Sequence, residues 1–88
     1  SLLRAALAIR RAGPDEVVQR AWEEAVGGED APRTRVISFR GGTLAVAVSS
    51  PALLAELSLW RREQVRARLA AALGRDVAEI RFEAGETP

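Results

Sequence analysis

The stretch Thr34-Arg35-Val36-Ile37-Ser38-Phe39-Arg40-Gly41-Gly42-Thr43-Leu44-Ala45-Val46-Ala47-Val48 decides the fold class. Arg35, Ile37 and Phe39 alternate with Val36, Ser38 and Arg40, and Leu44, Val46 and Val48 alternate with Ala45, Ala47 and Ser49. A period of two sends successive side chains to opposite faces of a strand. Gly41-Gly42 supplies the two residues that take positive φ in a tight hairpin turn; a phosphate-binding loop would need a longer glycine pattern and a following helix. The hairpin is predicted to bury Ile37, Phe39, Leu44, Val46 and Val48. Its other face, with Val36, Ser38, Arg40, Ala45, Ala47 and Ser49, is polar enough to be wet.

The period changes on both sides of this hairpin. Upstream, Leu2–Ala12 reads as a helix, Gly13-Pro14 as a stop and restart, and Val18, Ala21, Trp22, Ala25 and Val26 as the apolar face of a second helix that Gly27-Gly28 ends. Downstream, Ser49-Ser50-Pro51 opens a helical region with a serine cap and proline in the first turn, and Gly74 closes it. At about 100° per residue, Leu53, Leu54 and Leu57 centre on a direction roughly 100° from that of Val65, Leu69, Ala72 and Leu73. A straight helix would draw Arg61 or Arg68 across the apolar stripe, so a break or kink is predicted between Ser58 and Arg62, with Ser58 as the cap of a second helix. The alternative is one broad-faced helix with snorkelling arginines. Ile80 and Phe82 among Glu79, Arg81 and Glu83 form a third strand.

The resulting order is α-α-β-β-α(-α)-β. A helical crossover makes the third strand parallel to the second and antiparallel to the first. The fold class is α/β (α+β): a two-layer sandwich with a three-stranded mixed sheet and helices on one face. One domain is expected over residues 1–84, with a frayed tail at 85–88.

Composition limits the chemistry. The 88 residues contain no His, Cys, Tyr or Lys, and all 13 basic residues are Arg. General acid–base catalysis leans mostly on His, and transition-metal sites draw on Cys and His, so an enzyme and a metal or other cofactor are not expected. No stretch approaches the ~20 apolar residues that span a bilayer, and the absence of Cys fits a reducing cytoplasm. The formal net charge of +1 does not by itself announce a nucleic-acid partner.

The order and spacing of several motifs resemble one family. Ala21-Trp22-Glu23-Glu24-Ala25-Val26-Gly27 resembles its W-x-x-x-V-G helix end, and Thr34–Val48 its T-x-P-x-x-x-x-x-G-x-L-x-V-x-V hairpin. Ser49–Leu73 resembles its S-x-x-x-x-x-E-L helix, and Ile80-Arg81-Phe82 its closing strand. This is the DciA-type family. The resemblance implies a K-homology-like fold in a bacterial DNA-replication factor that contacts the replicative helicase and binds DNA. Two departures stand out. Val36 occupies the position where the family usually has Pro, and Ser58-Leu59-Trp60-Arg61-Arg62 lies where a K-homology domain carries its G-x-x-G clamp.

Without that clamp, DNA contact is expected from basic clusters. Arg61, Arg62, Arg66 and Arg68 form the denser one, and Arg4, Arg10 and Arg11 a second. The bland reading of either is a solvated helix face with weak local ion pairs. Trp60, beside Arg61-Arg62, suits base stacking or a protein hot spot, with core packing as the alternative. Trp22 at helical spacing beside Val18 and Val26 is most simply a core residue, with partner contact as its second reading. Three functions remain open: a DNA and helicase binding module, a protein-interaction domain without nucleic acid, and an RNA-binding domain of K-homology type.

Overall fold

The computed structural model describes residues 14–86. The predicted helix Leu2–Ala12, with Arg4, Arg10 and Arg11, lies outside the described residues. Helix α1 spans Pro14–Val26, and a short 3-10 turn at Ala31–Arg33 leads into strand β1, Thr34–Arg40. Strand β2 is Thr43–Val48. Helix α2, Pro51–Glu56, runs through a π turn at Leu57–Arg61 into helix α3, Arg62–Leu73, and strand β3 is Glu79–Ala84. β2 is the central strand, antiparallel to β1 and parallel to β3. The three-stranded mixed sheet and the order of elements agree with the sequence reading.

Local chemistry explains most of the boundaries. Gly41 and Gly42 turn the hairpin at φ 56° and 81°, both in the region that disfavours side chains. The Ser50 hydroxyl accepts the Leu53 amide at 3.3 Å, with Pro51 in the first turn of α2. Gly74, at φ 68°, ends α3 with its amide on the Ala70 carbonyl. The Gly85 amide donates to the Val48 carbonyl at 3.1 Å, one bond beyond the end of β3.

The core lies between the helices and one face of the sheet. Trp22, Leu57, Leu69, Leu44, Val46 and Ile80 are fully buried there. Trp22 stacks at a tilt on Phe82, with ring centroids 6.0 Å apart. Its indole N–H donates to the Thr34 hydroxyl at 2.8 Å, and that hydroxyl donates to the Ala31 carbonyl at 2.9 Å. The buried polar pair is thereby satisfied, as a low-dielectric interior demands. This placement removes Trp22 as a partner contact in the folded domain and leaves the packing reading.

Two expectations about faces are corrected. The register of β1 against β2 slips between Val36 and Ser38, so one extra residue bulges from the strand. A bulge shifts the alternation by one residue. Val36, expected outside, packs against the core, whereas Ile37, expected inside, is 46% exposed. Phe39 regains the inward face beyond the bulge.

The second correction concerns the helical region. The backbone does not break at Ser58, and Ser58 caps nothing. Instead the chain winds one π turn, whose i→i+5 bonding holds one more residue per turn than an α-helix. One added residue is worth about 100° of phase, the slip seen in the apolar stripe. Leu53, Leu57, Val65 and Leu69 therefore all reach the same core. The expected kink exists as this insertion.

Candidate functional site

The π turn collects the exposed features of the long helical stretch. Leu59 is 72% and Trp60 81% exposed, on the side of the helix that the extra residue pushes away from the core. Arg61, next in sequence, turns back. It adopts φ −115° and ψ 0°, and one terminal nitrogen donates to Asp30 at 2.8 Å and to Glu56 at 3.2 Å. Its other terminal nitrogen donates to the Val26 carbonyl at 3.1 Å, one of the orphan acceptors at the end of α1. The bonds to Asp30 and Glu56 raise its already high pKa, against a smaller opposing effect of burial. Arg61 is thus a clamp between the π turn and the end of α1.

The four clustered arginines do not form one patch. Arg66 donates to both carboxylate oxygens of Glu63 and, at 2.7 Å, to the Val77 carbonyl, which ties α3 to the approach of β3. The same carboxylate raises the Arg66 pKa and is itself held below the ordinary Glu range. Arg62 lies over the Phe82 ring at 5.9 Å, also on the β3 side. Arg68 instead borders the groove toward α1, beside Glu24 and Ala25. Among the described residues, Arg62 and Arg68 carry no ion pair. Around the turn, the guanidinium groups of Arg61 and Arg66 are paired with the carboxylates of Asp30, Glu56 and Glu63, which neutralises two of the four clustered arginines. The distant partner Asp30 was missed from sequence, because a 31-residue separation leaves no periodic signal.

No group of acidic residues among the described ones is arranged to hold a metal ion. The groove between α1 and α3 is lined by Glu16, Val17, Arg20, Ala21, Glu24 and Ala72, a surface with no paired carboxylates facing a buried nucleophile. No helix among the described residues is long and apolar enough to cross a membrane.

The order of elements agrees with what the family resemblance implies, and a family model decides the matter. The model described as "Dna[CI] antecedent, DciA" matches residues 1–82. The chain belongs to the DciA family. A search of curated proteins found no match. The DciA family is associated with loading of the replicative helicase, so the general role of the domain lies in DNA replication.

Proposed function

We propose that the domain is a non-catalytic adaptor of the cytoplasmic replication machinery that docks on the replicative helicase through Leu59 and Trp60 and also contacts DNA. The observation that carries the protein contact is the exposure of Trp60, at 81%, beside Leu59, at 72%, on a helix whose other leucines are buried or half-buried. Two adjacent large apolar side chains in water cost free energy that a covering partner recovers, and tryptophan is over-represented among binding hot spots. π turns are uncommon and concentrate at functional positions. The pairing of Arg61 and Arg66 with Asp30, Glu56 and Glu63 favours a protein partner over a polyanion there, since phosphate binding rests on uncompensated cations. Arg61 and Arg66 are bonded internally, which supports reading them as structural and leaves the exposed Arg62, two residues from Trp60, as a rim charge of the docking site.

Binding of the purified, nuclease-treated replicative helicase to the chain tests this reading by calorimetry or interferometry. Trp60→Ala is expected to weaken binding by about tenfold or more, the effect of losing a hot spot. Thermal stability should stay within a few degrees, because the side chain is mostly in water. Unchanged affinity in both Trp60→Ala and Leu59→Ala would refute the docking site.

A further inference from the structure

We infer that a single nucleic-acid strand lies along the outer face of β1, its phosphates held by Arg35, Arg40 and, at one end, Arg33. The inference rests on the DNA half of the proposed function and gives it a site away from the π turn. From Ala31 to Ala55 the chain has no Asp or Glu, and its only charged residues are these three arginines. All three are exposed. Arg35 pairs with Ala47 and Arg40 with Thr43 across the sheet, both on the face opposite the helices. Arg33 stands beside Asp30 and Glu56, whose carboxylates are already bonded to Arg61. The three cations are set out over roughly 20 Å of extended chain, a row rather than a disc.

The neighbouring strands define what the row can hold. β2 offers this face Thr43 and Ala45, small, uncharged and half-buried, which leave room for sugars and bases beside Arg40, whereas Ala47, opposite Arg35, is buried against Gly85. β3 brings Glu79 and Glu83 around Arg81, and these carboxylates repel a second phosphate backbone. One strand fits where a duplex would meet repulsion. A peptide strand added to the edge is disfavoured, because the Val36 amide on that edge is occupied by the Gln19 side-chain carbonyl at 3.0 Å. The occupant therefore reads the face through charge, and the hydroxyls of Ser38 and Thr43 are on hand as neutral donors.

The test is fluorescence anisotropy of the full chain with a labelled oligothymidylate and with a duplex of equal length, across a series of salt concentrations. Three phosphate contacts to a single strand give a log–log salt slope of about −2. Arg35→Ala combined with Arg40→Ala should lower affinity about tenfold at low salt and flatten that slope to about −0.7, the value for one remaining contact. Arg62→Ala combined with Arg68→Ala should stay within about twofold of the unmodified chain, since those residues lie outside the row. All of these side chains are exposed, and circular dichroism melts verify that each variant is folded. No binding by the unmodified chain at low salt would remove the DNA half of the proposed function altogether. Binding that survives the Arg35/Arg40 pair, depends on the Arg62/Arg68 pair, or favours the duplex overturns this site alone.

Discussion

Deletion of a residue from the middle of a helix is ordinarily ruinous, and the π turn predicts one place where it is not. Removing Leu59 takes out the inserted residue and lets Pro51–Leu73 wind as a regular α-helix. Leu53 and Leu57 keep their direction, and Val65 and Leu69 keep theirs, because the sequence shift and the loss of the π turn cancel. Trp60 then occupies the position opposite the core, and Arg61 stays on the α1 side, within reach of Asp30. Leu59 is 72% exposed, so its removal forfeits about a quarter of a leucine's burial, roughly 0.5 kcal/mol. Relief of the π turn works in the opposite direction. The expected change in melting temperature is within about 5 °C, at ~4–8 °C per kcal/mol for a domain of this size.

Deletion of Ala67 is the matched control. It is exposed and helical, and no π turn stands beside it to absorb the change. Its loss rotates Leu69 and Leu73 by about 100° away from the core. Leu69 is fully buried, and losing one such leucine costs about 2–5 kcal/mol against a typical domain stability of ~5–15 kcal/mol. That variant should be unfolded or melt at least ~8 °C lower. Far-UV circular dichroism melts of the two deletions decide the matter. Equal destabilisation by both, or tolerance of the Ala67 deletion, would refute the phase argument.

Arg61→Ala should destabilise the domain by about 1–3 kcal/mol, the range for hydrogen bonds to charged groups, reduced because the side chain retains 24% exposure; chemical denaturation measures it, and a change near zero would demote the clamp to an ornament of the surface. The lowered pKa of Glu63 predicts a pH effect of definite sign: its pairing with Arg66 contributes stability above the ordinary Glu range and loses it as pH falls through the lowered pKa. The melting difference between the unmodified chain and Glu63→Gln should therefore be present at neutral pH and vanish in acid, and a difference that persists in acid would contradict the pairing.

Much of the fold was written in local pattern. Gly41-Gly42, Ser50-Pro51 and Gly74 mark their turns and caps by backbone chemistry that depends on a few neighbouring residues, and each functions as read. The third strand and its parallel pairing followed from period and crossover alone. The apolar stripe of the long helix even revealed a slip of about 100°. What the stripe did not carry was the form of the repair, since a capped break and a π turn both restore phase. The tertiary core chose the π turn, which keeps the backbone bonded while bringing Leu57 and Val65 to the same sheet. The bulge at Val36–Ser38 is of the same kind: alternation alone gives Ile37 to the core, and only the register against β2, with Gln19 on the Val36 amide, exchanges it for Val36. The arginines show the limit most clearly. Sequence determined that Arg61, Arg62, Arg66 and Arg68 are close neighbours, but charge available to a partner depends on what has neutralised it. Asp30, Val26 and Val77 reach Arg61 and Arg66 only after the chain has folded, because those contacts join elements that sequence spacing does not relate. Folding thereby turned the densest basic run into two internal clamps, and left the exposed Trp60 as the feature of that turn that both sequence and structure single out.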